Sequence, residues 1–170
     1  MKTPICILSA AFVWAGSVMA YETGAKAVAE LKPTKDSKVQ GTVLFDQQAD
    51  GVHVSVDITG LTPGAHGFHI HEKGDCSAPD AASAGGHFNP TGKKHGAPHA
   101  AEHHMGDFGN LVADDTGHAK VDLINPDLKF EGPDSIIGRA VIGHAGKDDL
   151  KSQPAGNSGA RVACGVIEKK

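Results

Sequence analysis

The chain has 170 residues, including 22 glycines and 11 histidines, and its formal net charge is −4 at pH 7. Beyond the N-terminus no apolar run reaches the ~18 residues that would span a bilayer, and the acidic balance without a Lys/Arg block argues against nucleic acid as the main partner. The composition therefore predicts one loop-rich globular domain with a surplus of histidine and glycine to be explained.

Residues 1–20 have the organisation of a secretory signal peptide. Lys2 provides the positive charge, residues 5–13 are apolar, and small residues lead up to Ala20. We predict cleavage after Ala20, so that residues 21–170 form the mature domain in the periplasm or outside the cell. The alternative is a buried N-terminal strand or helix.

Cleavage would remove Cys6 and leave Cys76 and Cys164 as the cysteines of the mature chain. An even pair in an exported protein predicts one disulfide. Chain-entropy arguments give such a long closed loop roughly 4–5 kcal/mol of stabilisation. The alternative is two free, buried thiols.

Several short segments alternate apolar and polar residues with the period of two that is typical of a strand with one buried face. No segment of useful length has the helical period, and Gly/Asp turns separate the strands. The sequence therefore predicts an all-β fold, an antiparallel sandwich or barrel. The predicted strands are 39–45, 52–58, 111–112, 119–123, 136–142 and 161–167.

Two long stretches, 74–109 and 143–159, show no periodicity and are rich in glycine. Loops of this length in a compact domain are usually functional or disordered. A metal site together with the disulfide would order them.

Eight of the eleven histidines lie between positions 66 and 104. His69 and His71 are two residues apart, so on a strand both rings can reach one metal while Phe68 and Ile70 point into the core. The pattern alone is also compatible with a zinc hydrolase site.

A second set of histidines has regular spacing. His87, His95 and His104 are eight and nine residues apart, and Asp107 follows. Three imidazoles and one carboxylate complete a tetrahedral zinc shell, which is typical of a structural site. His144 stands alone before the second long stretch, and His103, next to His104, is the alternative ligand at that position.

These segments resemble the copper–zinc superoxide dismutases. The resemblance extends from about residue 25 to 168. Within the family, the chain resembles the exported bacterial-type members. It is carried by the segments GFHIH (67–71), GHFNP (86–90), HMGD (104–107) and GNSGARVACGVI (156–167).

The resemblance implies a flattened, sandwich-like, eight-stranded antiparallel Greek-key β-barrel with two long functional loops. It also implies an enzyme that dismutates superoxide anion to oxygen and hydrogen peroxide in antioxidant defence, with one copper and one zinc per subunit, and either a monomer or a homodimer. Charge and hydropathy, as above, predict no nucleic-acid or membrane partner.

The resemblance also assigns residue roles. His87 would bridge both metals and take part in catalysis with Arg161, the residue that guides the anion. Asp148 would link a copper ligand to a zinc ligand, and Cys76 and Cys164 would form the disulfide. The implied copper ligands are His69, His71, His87 and His144, and the implied zinc ligands are His87, His95, His104 and Asp107.

Some alternatives remain open from the sequence. Either Lys147 or Lys151 could steer superoxide, and His99 or His103 could make accessory metal contacts. A non-enzymatic metal carrier of the same fold is a competing function. It would need neither a bridging histidine nor a guiding arginine.

Overall fold

The computed structural model describes residues 24–170, so the predicted signal peptide lies outside the described residues. Among residues 24–170, no helix is long and apolar enough to cross a membrane. The strands are β1 (Lys26–Pro33), β2 (Gln40–Gln48), β3 (Gly51–Thr59), β4 (Gly64–His71), β5 (Asp107–Ala113), β6 (Ala119–Asn125), β7 (Ala140–His144) and β8 (Arg161–Lys169), with a short 3-10 helix at Ala82–Ala84.

All neighbouring strands are antiparallel and form one sheet in the order β5-β4-β7-β8-β1-β2-β3-β6. The two edge strands, β5 and β6, follow each other in sequence and lie side by side, which nearly closes the sheet into a barrel. The chain crosses the barrel between β3 and β4 and again between β6 and β7. The predicted all-β, Greek-key-like fold is confirmed.

The core lies inside this barrel and follows the alternation seen in the sequence. Val52, Val54, Val56 and Ile58 of β3 are buried, while the residues between them lie at or near the surface. Successive side chains of a strand point to opposite faces, so one face supplies the core. Phe68 is fully buried in the same cluster.

Three strand predictions differ from the structure. The segment predicted at 111–112 belongs to β5, which begins at Asp107 inside the stretch 74–109 that was expected to be irregular. β1 was not predicted, because its inward positions include the small residues Ala27 and Ala29, whose alternation is weak. The strand expected at 136–142 begins only at Ala140, since the backbone turns at Gly138, where φ is 77°. A positive φ at that position ends the extended conformation.

Two long connections, residues 72–106 between β4 and β5 and residues 145–160 between β7 and β8, leave opposite ends of the antiparallel strands β4 and β7 and contact each other through hydrogen bonds between His95 and Gln153. The predicted disulfide is confirmed: Cys76 in the first connection is bonded to Cys164 on β8, with the two Cα atoms 5.8 Å apart. The disulfide therefore ties the first connection to the strand that begins with Arg161.

Candidate metal centre

The first group of candidate ligands consists of His69, His71, His87 and His144, here called the four-histidine group. His69 and His71 lie on β4, His144 ends the neighbouring strand β7, and His87 comes from the first long connection. One ring nitrogen from each lies within 4.8 Å of the others, and all four residues are buried. This arrangement offers a metal four imidazole nitrogens.

The second group consists of His87, His95, His104 and Asp107, here called the three-histidine–aspartate group. Its ligand atoms also lie within 4.8 Å of one another, and all four residues are buried. Asp107 is the first residue of β5, and its Oδ2 accepts hydrogen bonds from the backbone amides of His104 (2.8 Å) and Gly96 (3.2 Å). These bonds orient the carboxylate toward the rings.

His87 belongs to both groups. Its neighbour Phe88 donates its amide to Ile70 O on β4 (2.8 Å) and accepts from the Gly106 amide (2.9 Å). The segment that carries His87 is therefore held by backbone bonds on both sides. The two ring nitrogens of His87 point to different groups, because Nδ1 lies 2.8 Å from Asp107 Oδ1 and Nε2 is left for the four-histidine group.

Six buried ring nitrogens in the two groups have no hydrogen-bond partner among the described residues. An unsatisfied buried polar atom costs free energy and calls for an explanation. One such atom comes from each histidine, four of them in the four-histidine group and two in the other group, where His87 Nδ1 and an Asp107 oxygen complete the set of four ligand atoms. The six atoms without a partner are Nδ1 of His69, His95 and His104 and Nε2 of His71, His87 and His144.

Burial disfavours a charged ring and therefore favours the neutral, metal-binding form of three of these histidines. It lowers the pKa of His71 to about 2, of His144 to about 3 and of His87 to about 4. For Asp107 burial acts in the opposite direction, but hydrogen bonds from the His104 backbone amide and from His87 Nδ1 hold the pKa of its carboxyl well below the usual range. His71, His87 and His144 are therefore neutral imidazoles, and Asp107 is a carboxylate anion.

Asp148 connects the two groups. It is fully buried, and its carboxylate accepts a hydrogen bond from His69 Nε2 (2.8 Å) and another from His95 Nε2 (3.0 Å). These bonds fix the tautomers, so that Nδ1 of each ring faces its group. A glycine is required at position 156, next to Asp148, because a Cβ there would overlap the Asp148 carboxylate. The backbone φ of +62° at this position also favours glycine.

Arg161 lies beside the four-histidine group. Its guanidinium donates to Ala81 O (2.5 Å) and to Gly85 O (2.6 Å). Gly85 O also accepts from His71 Nδ1 (2.9 Å), so the cation and this ring share an acceptor. Burial lowers the pKa of Arg161 from its usual value, but an arginine remains protonated in proteins.

Several features of the centre have no counterpart in the sequence analysis. The pairing register shifts beside His69 on β4 and beside His144 on β7, and such bulges often re-aim side chains next to active sites. Gln153 was not singled out either, although it exchanges two 2.9 Å hydrogen bonds with the backbone of His95. An isolated glutamine in a loop carries no signal in the sequence.

The neighbouring histidines lie outside both groups within residues 24–170. His103 donates from Nδ1 to Ala100 O (2.7 Å), and its other ring nitrogen is 3.9 Å from Asp127. His99 is exposed. The three-histidine–aspartate group therefore contains His104 and not its neighbour.

A model of the family described as copper/zinc superoxide dismutase (SODC) matches residues 39–167. This chain belongs to the copper/zinc superoxide dismutase family. The crystal structure of the clock protein EA4 is similar, with 43% identity and a TM-score of 0.78 over 89% of this chain and 98% of that chain.

Membership of the family makes the chain an oxidoreductase that dismutates superoxide with copper and zinc. The two buried ligand groups fit these two metals. Imidazole suits both copper and zinc, and a set of three imidazoles and a carboxylate is a complete tetrahedral zinc shell.

Proposed function

We propose that this protein is an exported copper–zinc superoxide dismutase that protects the compartment outside the cytoplasm from superoxide. In this proposal copper binds the four-histidine group, zinc binds the three-histidine–aspartate group, and His87 bridges them. The observation that carries the proposal is the set of six orphaned ring nitrogens, divided between two groups that share one residue.

Bound copper would supply one-electron redox chemistry, and zinc, which has none, would hold the structure. The chain's own contribution is to orient the ligands and to handle the substrate and protons. Dismutation turns two superoxide anions and two protons into oxygen and hydrogen peroxide. His87 Nε2 has no protein partner, so it can hold a proton at the four-histidine group and release it to the departing peroxide.

Arg161 acts on the substrate in this proposal. Its guanidinium remains partly exposed beside His71, fixed by two carbonyl oxygens. A fixed cation at this place attracts an anion without the entropy cost of ordering a mobile side chain. Asp148 instead orients His69 and His95 and does not contact the substrate.

The test combines metal analysis with a superoxide-consumption assay on the purified mature protein. We expect one copper and one zinc per chain together with fast consumption of superoxide. Metal binding without turnover would indicate a metal carrier, and zinc alone at His69 and His71 would indicate a hydrolase. Either result contradicts the proposed function.

Export has its own test, since residues 1–20 lie outside the described residues. We propose that residues 21–170 are the mature domain and that it functions in the periplasm or outside the cell. Cell fractionation and N-terminal sequencing should find the protein outside the cytoplasm with Tyr21 as its first residue. A full-length cytoplasmic protein would contradict export without affecting the metal assignment.

A further inference from the structure

A groove of about 420 Å³ lies beside Arg161 and belongs to neither ligand group. Its walls are residues 34–39, which connect β1 to β2, residues 60–62, and Arg161 with its neighbours. Ala145, the residue after His144, also lines it. The groove therefore extends from the β1–β2 connection to the segments that carry Arg161 and a candidate copper ligand.

The β1–β2 connection is fixed against these segments by hydrogen bonds. Thr34 Oγ1 donates to Arg161 O (2.8 Å), and the Thr34 amide donates to Val162 O (3.2 Å). The amide of Lys35 donates to Pro79 O (2.7 Å), in the connection that also carries Ala81. The backbone of Lys35 is thus held by the two segments that surround the Arg161 guanidinium.

The charges of the groove are predominantly positive. Lys35, Lys38 and Arg161 line it, and Asp36 is the one acidic residue of the lining. Both lysines are exposed, and among residues 24–170 neither has an ion-pair partner. Asp80, the acidic residue that acts on Arg161, lies outside the lining. The charged residues of the lining are thus three cations and one anion, and an anion at the groove meets a net positive field.

The lysines of the second long connection are in a different situation. Lys147 and Lys151 are interspersed with Asp148 and Asp149, so residues 147–151 carry no net charge. Neither lysine lines the groove. Charges of opposite sign a few ångströms apart largely cancel at a distance, so this connection contributes little net attraction.

We propose that Lys35 and Lys38, on the β1–β2 connection, steer superoxide toward Arg161. The inference rests on the proposed function, which makes superoxide the substrate. The protein carries a net charge of −4 and repels an anion overall, so a local cationic path is needed. Focusing by local charges raises association rates by about 10–1,000-fold in general, and superoxide dismutases are a standard example of it.

The decisive experiment reverses both charges in the doubly substituted K35E/K38E protein. Its matched control, K26E/K170E, has the same change in net charge. Lys26 and Lys170 lie together at the other end of β1, where the Lys170 amide donates to Lys26 O (2.8 Å). The eight residues of β1 place them about 25 Å from Lys35. A third protein, K147E/K151E, tests the other connection. Metal content and thermal stability are measured for each, so that only folded, fully loaded proteins are compared.

The value of kcat/KM is measured by pulse radiolysis from about 0.01 to 0.3 M ionic strength, where the Debye length falls from about 30 Å to below 8 Å. We expect K35E/K38E to be about ten-fold slower at the lowest ionic strength and to approach the wild type at the highest. K26E/K170E should stay within about two-fold of the wild type, and K147E/K151E should lose less than K35E/K38E. An unchanged K35E/K38E, an equal loss in K26E/K170E, or a loss confined to K147E/K151E would overturn the inference.

Azide binding to the copper-loaded protein, followed by visible absorption, provides a readout that does not depend on turnover. The dissociation constant of azide should rise several-fold in K35E/K38E and not in K26E/K170E. If the wild type binds copper but does not consume superoxide, the proposed function fails while the azide titration still tests the groove. If the wild type is active and azide binds all variants equally, only the steering role fails.

Discussion

At the scale of single residues, the centre depends on histidines whose two ring nitrogens have different tasks. His69 donates Nε2 to Asp148, and His71 donates Nδ1 to Gly85 O. In each ring this leaves the other nitrogen as a ligand atom without a protein partner. Backbone and carboxylate acceptors thus select the tautomer that presents a lone pair to the metal.

His87 is the residue shared by both groups, and its removal should affect both metals. We expect His87→Ala to lower both the copper and the zinc content of the purified protein, because each group loses a ligand. His71→Ala is the control, since His71 belongs to one group, and it should lower copper alone. Inductively coupled plasma mass spectrometry measures both. Full zinc in His87→Ala would contradict the bridge.

Asp148→Asn tests the link between the groups. Asparagine preserves the shape but removes the negative charge and one acceptor, so that His69 and His95 can no longer both donate. We expect zinc affinity to fall by about 10–100-fold, which is usual for partners that orient metal ligands. Competition with a chromogenic chelator measures it. Asp149→Asn, at the exposed neighbour, should leave zinc affinity within about two-fold.

Arg161→Ile separates substrate attraction from metal binding. The change removes the positive charge beside His71 but no candidate ligand. We expect kcat/KM to fall by about ten-fold and to depend less on salt, because less attraction is left to screen. Both metals should stay bound, as mass spectrometry can show. Unchanged kinetics would remove Arg161 from the mechanism.

At the scale of the elements, alternation along the strands made the sheet predictable. In β3 the inward positions are four β-branched residues in a strict period of two, and the predicted strand lies within the observed one. β1 was not predicted because the alternation of apolar and polar residues is weak where the inward residues are small alanines. The turn at Gly138 was not predicted because a single glycine in an apolar segment does not indicate the sign of its φ angle.

The disulfide joins the first long connection to β8, and its loss should loosen the wall of the centre. We expect Cys76→Ser/Cys164→Ser to reduce the free energy of unfolding by about 2–5 kcal/mol. Hydrogen exchange should rise around Ala81 and Gly85, whose carbonyls hold the Arg161 guanidinium. Urea denaturation and exchange mass spectrometry measure the two effects. Equal protection in both proteins would mean that the hydrogen bonds alone hold this wall.

At the scale of the whole molecule, burying the neutral histidines makes the metal-free protein sensitive to acid. The pKa values of His71, His87 and His144 are lowered from 6.5 to about 2, 4 and 3. Below pH 6.5 the unfolded chain therefore binds more protons than the folded one. The stability contributed by the neutral histidines is fully present above that pH and is lost progressively as the pH falls from 6.5 to about 2.

We therefore expect the urea midpoint of the metal-free protein to fall steadily from pH 7.5 to pH 5. Carboxylates titrate little in this range, because their ordinary pKa values lie near 4. The metal-loaded protein should keep its midpoint until protons displace the metals. An equal midpoint of the metal-free protein at pH 7.5 and pH 5 would contradict the lowered pKa values.

The sequence alone determined the fold class, the disulfide and the kinds of side chain available to two metals. These properties depend on local patterns: alternation within a strand, a pair of cysteines, and histidines at short separations. The His69–His71 pair on β4 and the spaced ligands from His87 to Asp107 are such local patterns. The resemblance of several segments to one family then predicted which of these residues bind copper and which bind zinc.

The tertiary structure decided which groups meet across long separations. Strand pairing of β4 with β7 brings His144 next to His69, and the second long connection returns Asp148 between His69 and His95. It also set the β1–β2 connection with Lys35 beside Arg161. No local pattern encodes these contacts, because they depend on register, bulges and loop paths that form only when the whole barrel is assembled.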